Sequence, residues 1–150
     1  MMLQQKEIDT IKDLQTQEQS CMQKYEKYAN EAKDNVLKDL FNRLKQSEQK
    51  HYDSLSQVLA GNVPECDCND TSGRDYAPTA TYTSESEDKK ADCFLATDCI
   101  GTEKMVSHEY DNKVFLFGDT RIRKLLADIQ IEEQNHAEML YKYKVVNGMA

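Results

Sequence analysis

The sequence predicts an all-α fold, a four-helix bundle of two helical hairpins joined by a long crossover. Three observations predict it. Apolar residues recur at steps of three and four through four segments of helical length. Both prolines fall in one Ser-, Thr-, Asn- and Asp-rich stretch between the second and third segments. The halves on either side of that stretch repeat one another at a register shift of 85 residues.

The first segment, about 3–32, carries the stripe Ile8, Ile11, Leu14, Glu18, Cys21/Met22, Tyr25, Tyr28/Ala29, Ala32. The second, about 34–60, opens with Asp34 as an N-cap and carries Leu37, Leu40/Phe41, Leu44, Glu48, His51, Leu55 and Val58/Leu59. Gly61 stops it. Residues 61–90, "GNVPECDCNDTSGRDYAPTATYTSESEDKK", read as a connection rather than a helix, with "SESEDKK" as solvated linker. The third segment, about 91–117, runs through Ala96, Cys99/Ile100, Glu103, Val106, Tyr110, Lys113/Val114 and Phe117. Gly118 and Asp119 form a tight stop-and-start turn. The fourth, about 119–146, runs through Ile122, Leu125/Leu126, Ile129, Glu133, His136, Leu140 and Tyr143. Residues 1–150 are expected to make one domain, with 61–90 as its crossover linker.

Composition narrows the function classes. Hydrophobic residues are 39% and charged residues 31%, with two prolines, five glycines and no tryptophan, a helix-rich balance. A net charge of −8 argues against nucleic acid, whose partners are basic and clustered. The start of the chain, "MMLQQKEIDTIKDLQ", has no signal-like apolar run, and no segment is long and apolar enough to span a bilayer. No membrane is expected as a partner, and the chain is expected to fold in a cytoplasm. Five cysteines in irregular spacing fit reduced thiols in a reducing compartment.

The repeat places chemistry on the stripes. Glu18 falls on Glu103, Tyr25 on Tyr110, Asp34 on Asp119, Glu48 on Glu133 and His51 on His136. Glu18 and Glu48 are equally far in sequence from Lys33, as Glu103 and Glu133 are from Gly118. Antiparallel helices rise equally from a shared turn, so each pair lies at one level. Each histidine sits one helical turn beyond its glutamate on the same face. Four carboxylates and two imidazoles should therefore meet inside the bundle. Uncompensated, such a cluster repels itself and is costly to desolvate, and divalent cations supply the missing charge. Oxygen-rich ligation with one imidazole per ion suits iron or manganese, and zinc can occupy it in a purified sample.

A Glu from each of two helices plus a Glu-x-x-His from each of the other two is the ligand set of ferritin-like di-iron and di-manganese bundles. Glu18, "SEQKH" at 47–51, Glu103 and "EEQNH" at 132–136 thus make the chain resemble the ferritin-like superfamily over nearly its whole length. The resemblance implies an up-down, crossover, down-up bundle with the second and third helices parallel. About 30 linker residues easily span the roughly 40 Å of such a helix. It further implies that Glu48 and Glu133 bridge two Fe or Mn ions. Glu18 and Glu103 would be terminal ligands, with His51 and His136 each on one ion. Tyr25 and Tyr110 resemble the tyrosines of rubrerythrin-like sites, where a phenol hydrogen-bonds a ligating carboxylate. Read from the residues alone, they are equally core tyrosines satisfied elsewhere.

The run "KYEKYANEAKDNVLKDLFNRLKQSEQKHYDSL", residues 24–55, looks like the spore coat F family. That resemblance implies a coat destination and contacts with other coat proteins. No Cys-x-x-Cys pair is present, so the iron domain of rubrerythrin proper is not expected. Three functions follow. One is a di-iron or di-manganese oxidoreductase of peroxidase or ferroxidase type acting on oxygen or peroxide. The others are a structural coat protein with or without an occupied site, and a metal-storage module. Complementary apolar stripes also allow a homodimer. Cys66 and Cys68 either bind a soft metal, form cross-links or stay ordinary loop thiols, and no role is assigned to Cys93. Cys21 and Cys99 read as small core fillers, and His108 as a surface residue.

Overall fold

A computed structural model describes residues 2–150. Four long helices carry the fold: α1 (Gln5–Glu31), α2 (Asn35–Leu59), α4 (Glu87–Lys113) and α5 (Thr120–Val146), with a single turn of helix, α3 (Ser72–Asp75), inside the crossover. Among the described residues there is no strand. Each start has a local cause. Glu7 Oε2 accepts the Gln4 N–H at 2.7 Å ahead of α1. Asp34 Oδ1 accepts from Val36 N at 3.0 Å, and Asp119 Oδ1 from Arg121 N at 2.8 Å, the two capping aspartates that the repeat aligns. Gly61, at φ +89°, ends α2 in the left-handed region.

Two boundaries differ from the sequence expectation. Helix α4 begins at Glu87 rather than near 91, because Ser86 Oγ accepts from Lys89 N at 3.1 Å and caps it. Glu87 and Asp88 then occupy the first turn, where the helix dipole favours acids. Part of the supposed linker run is therefore a helix start. At its other end α4 stops at Lys113, and Val114–Leu116 form a 3-10 turn before Phe117 is buried. The crossover also holds α3, which the run of turn-forming residues concealed.

Paired residues fix the directions. Residues 18, 25 and 28 of α1 meet 110, 103 and 98 of α4, so these helices are antiparallel. Residues 47 and 51 of α2 meet 136 and 132 of α5, again antiparallel. The order is up, down, crossover, down, up, with α2 and α4 parallel, the arrangement that the ferritin-like resemblance implies. Two apolar blocks fill the interior. Ala29, Leu40, Phe41, Leu140 and Tyr143 belong to one, and Ile11, Leu14, Leu55, Val58 and Leu126 to the other. The glutamates and histidines lie between them.

The crossover travels along α5 from its first turns to its last. Cys68 Sγ approaches the Lys124 carbonyl at 3.8 Å, the Gly73 N–H donates to Asn135 Oδ1 at 2.8 Å, and Thr81 N–H donates to Asn147 Oδ1 at 3.0 Å. Lys142 Nζ donates to the carbonyls of Gly73, Arg74 and Tyr76 at 2.7, 2.8 and 3.2 Å, holding the otherwise unpaired end of α3. Fully buried Asp92 closes the far end: it accepts the N–H groups of Lys33 and Asp34, both at 2.9 Å, and the Tyr82 hydroxyl at 2.6 Å. Among the described residues no helix is long and apolar enough to cross a membrane.

Gly73 is the tightest point of this strap. A Cβ there would meet Asn135 Oδ1 at 2.7 Å and Asn135 Cα at 3.1 Å. Gly73→Ala is expected to destabilise the fold by about 1–3 kcal/mol. Gly101→Ala, exposed on α4 with nothing within 4 Å, should stabilise it by up to about 1 kcal/mol. Urea unfolding followed by circular dichroism separates them; equal effects would mean that the strap does not depend on its close approach to α5.

Candidate metal centre

Each hairpin delivers one Glu from its first helix and a Glu-x-x-His from its second. Glu18, Glu48 and Glu133 are 0% exposed, Glu103 1%, and His51 and His136 3%. Their atoms converge in two overlapping groups. Glu18, Glu48, His51 and Glu133 each offer a donor atom within 4.8 Å of the others, and so do Glu48, Glu103, Glu133 and His136. Glu48 and Glu133 belong to both groups. All six residues singled out in the sequence are thus brought together.

The contacts inside this layer are close but not aligned as hydrogen bonds. His51 Nδ1 lies 2.8 Å from Glu133 Oε1, and His136 Nδ1 lies 2.8 Å from Glu48 Oε1. Yet eight buried atoms of these six residues have no hydrogen-bond partner: Glu18 Oε2, Glu103 Oε2, both oxygens of Glu48 and Glu133, and Nδ1 of both histidines. Buried polar atoms are normally paired. Here the orphaned atoms all belong to the six converging residues, which is the pattern of donors aimed at a cation. Two divalent cations would also balance four carboxylates with both imidazoles neutral. The residues therefore fit the dinuclear group that the sequence implied.

The outward atoms are paired. His51 Nε2 lies 2.7 Å from Glu132 Oε2, and His136 Nε2 lies 2.9 Å from Ser47 Oγ. Each imidazole is thereby turned with Nδ1 inward, and the two rings lie near-parallel with centroids 5.9 Å apart. Neither orienting residue was recognised from sequence. The available signal was their place one residue before the glutamate in "SEQKH" and "EEQNH", at matching positions of the repeat.

The tyrosines bond carboxylates across the hairpins. Tyr110 donates its hydroxyl to Glu18 Oε1 at 2.5 Å, and Tyr25 donates to Glu103 Oε1. Burial and then the charge of the facing glutamate hold both phenols well above their ordinary pKa, so they remain donors. Cys21, buried beside the layer, is pushed up by burial and the glutamate charges and stays a thiol. Cys99 is buried in an apolar block, and His108 is exposed with Nε2 3.0 Å from Asn112 Nδ2.

Proton balance mirrors the charge problem. Burial, reinforced by the charge of Glu48, pushes Glu18 up to about 8, and burial with Glu103 and Glu48 holds Glu133 well above the carboxylate range. Burial acts to raise Glu48 as well, but contacts with Glu18, His136 and His51 win and hold it low. Burial alone would lower His136; the facing carboxylates Glu103 and Glu48 outweigh it and raise it to about 10. Protons do here what cations would otherwise do.

Comparison with known families places residues 91–150 in a match to the Coat F domain. The matched span contains most of α4 and all of α5, with Tyr110, Glu103, Glu133 and His136. Residues 24–55, whose sequence resembles the spore coat F family, lie in the other hairpin, and the internal repeat makes the two hairpins similar. No curated protein and no solved structure matches the chain.

A pH dependence follows for the metal-free protein. Glu18 keeps in the folded state a proton that the unfolded chain releases near 4.5, so its contribution is complete below that pH and is lost as pH rises to about 8. His136 acts in the same direction between 6.5 and about 10. With chelator present, Tm should fall from about pH 5 to pH 9. With saturating Mn(II) it should rise over the lower part of that range, because these donors bind a cation only after releasing their protons. Parallel curves in the two conditions would count against a metal centre.

Proposed function

We propose that this chain is a coat-type helical-bundle protein, ferritin-like in fold, that holds two divalent transition-metal ions in its core. One observation carries the reading: two buried donor groups share Glu48 and Glu133, and their inward atoms lack other partners. In this reading Glu48 and Glu133 bridge the ions. Glu18 with His51 completes one position, and Glu103 with His136 the other. Tyr25 and Tyr110 hold the terminal carboxylates through Oε1, leaving Oε2 of each free for an ion. The donor set of oxygen with one imidazole each favours iron or manganese natively, with zinc as an occupant after purification. The Coat F match supports a place in the spore coat, where the bundle would contact other coat proteins or a second copy of itself.

A second reading, reaction with oxygen or peroxide, is favoured by one feature. A cavity of about 330 Å³ beside the layer is lined by Ser47, Lys50, Asp70, Ser72, Glu132 and His136. It is wide enough for a small oxidant and polar enough to hold one. Redox-active ions at the two positions would supply the electrons. The chain's own part would be to admit the oxidant past Ser47 and Glu132, to hold the carboxylates through the tyrosines, and to exclude bulk water with two apolar blocks.

Metal analysis after anaerobic loading with Fe(II) or Mn(II) tests the first reading. Two ions per chain are expected, with both positions impaired in Glu48→Ala and one chiefly impaired in Glu18→Ala. A folded bundle that takes up no stoichiometric metal would overturn it. Admitting oxygen to the ferrous protein tests the second reading: oxidation faster than that of free Fe(II) supports it, and an unchanged rate removes it. If the coat role holds, the Glu48→Ala protein still fractionates with spore coat extracts.

The two positions should differ. His51 is oriented by a carboxylate and His136 by a hydroxyl, and a carboxylate makes the imidazole the stronger donor. Glu132→Gln is expected to weaken one of the two Mn(II) binding steps by about 10–100-fold in calorimetry. Ser47→Ala should act on the other step and by less.

A further inference from the structure

Among the described residues, one other cluster of ligand-type side chains draws together apart from the buried layer. Cys66 and Cys68 open the crossover, and Asp128 faces them from α5; one donor atom from each lies within 4.8 Å of the other two. None of the three is a dinuclear ligand candidate. The backbone is shaped for this meeting. Cys68 has φ +58°, the one non-glycine residue with positive φ among the described residues, in a region that residues with side chains rarely adopt. Its Sγ points to the first turns of α5, 3.8 Å from the Lys124 carbonyl, one turn before Asp128. Both thiols are free and half-buried.

We propose that Cys66, Cys68 and Asp128 form a second, mononuclear metal site that takes a thiophilic divalent cation of the zinc class. The chemistry of the donors selects the ion. Two sulfurs and one carboxylate suit tetrahedral zinc, whereas magnesium and calcium require shells of six or more oxygens. Bonds of about 2.3 Å to sulfur and 2.0–2.2 Å to oxygen set tetrahedral donors roughly 3.5–3.8 Å apart, within the spacing seen here. A water fills the fourth position from an open cavity of about 410 Å³ lined by Glu65, Cys66, Asp67 and Asp128. Electrostatics agrees with this geometry. Burial and then the Asp128 charge push Cys66 up to about 11 and also raise Cys68, while burial and the Glu132 charge raise Asp128. Both thiols therefore hold their protons until a cation displaces them. Such an ion would clip the start of the crossover to α5, close to Glu132, the residue that orients His51.

Co(II) binding to the reduced full chain tests the site, because only thiolate ligation gives an intense sulfur-to-cobalt charge-transfer band. The expected result is such a band at one equivalent, retained in Glu48→Gln, whose dinuclear layer is impaired, and lost in Cys68→Ser. Asp128→Asn should keep the band and weaken binding at least tenfold. Zn(II) should displace the cobalt and bleach it. A chain that is folded by circular dichroism yet gives no band overturns the proposal, as does a band that survives both Cys66→Ser and Cys68→Ser. A Cys66–Cys68 disulfide, seen by mass spectrometry in protein purified without reductant and formed even with Zn(II) present, overturns it too. Loss of dinuclear loading in Glu48→Gln with the band intact would separate this site from the core centre.

Discussion

Four carboxylates and two imidazoles share one buried level, and every other feature of the interior accommodates that fact. Charges taken out of water must be neutralised, and the layer has two means of doing so. Protons can stay on Glu18 and Glu133 and on the imidazoles, or divalent cations can replace them. The first choice leaves eight donor atoms without aligned partners. The second would give them a cation to face. Either way the layer cannot be an ordinary core, which would fill the same volume with leucine at no electrostatic cost. Its position between two apolar blocks keeps water out and makes the electrostatic demand strong.

The level itself follows from distance to the turns. Glutamates placed equally far from a shared turn must meet, and a histidine one turn further must face the same way. The tyrosines then tie the two hairpins together. Each donates to the glutamate of the opposite hairpin, so α1 and α4 are held by the same groups that border the centre. Register between hairpins and geometry of the centre are one constraint. A slip of α1 against α4 would break both phenol bonds and leave two carboxylates with still fewer partners.

This explains what the sequence could and could not disclose. Periodicity and the repeat name the six donors and both tyrosines because those residues recur within one helix or between aligned halves. The parallel direction of α2 and α4 comes instead from the ferritin-like resemblance that those residues carry. Asp92 is not legible in the sequence because two of its partners, the Lys33 and Asp34 amides, are backbone of the other hairpin, and the third, the Tyr82 hydroxyl, sits in the irregular crossover. Asn135 and Lys142 were hidden for a similar reason: each binds backbone of the crossover, far away in sequence. The early start of α4 was missed because a cap on Ser86 is one hydroxyl in a run of polar residues that reads as solvated. Local pattern thus carries the bundle and its buried carboxylate–imidazole layer, and contacts with irregular backbone carry the remainder.

The crossover also breaks the twofold likeness of the hairpins, and the breaks fall where it lies. Shifted by the repeat, Asn135 corresponds to Lys50, Asp128 to Arg43 and Glu132 to Ser47. Lys50 and Arg43 are exposed on α2, whereas Asn135 is buried against Gly73 and Asp128 half-buried against Cys66 and Cys68. A helix whose outer face is covered needs different residues from its uncovered twin. Glu132 then follows as a consequence: it lines the cavity beneath the crossover with Asp70 and Ser72, and from there it reaches His51 across the bundle. The asymmetry of the centre is therefore inherited from the path of the chain. Two hairpins that are nearly equivalent inside become unequal because only one long connection can run over them.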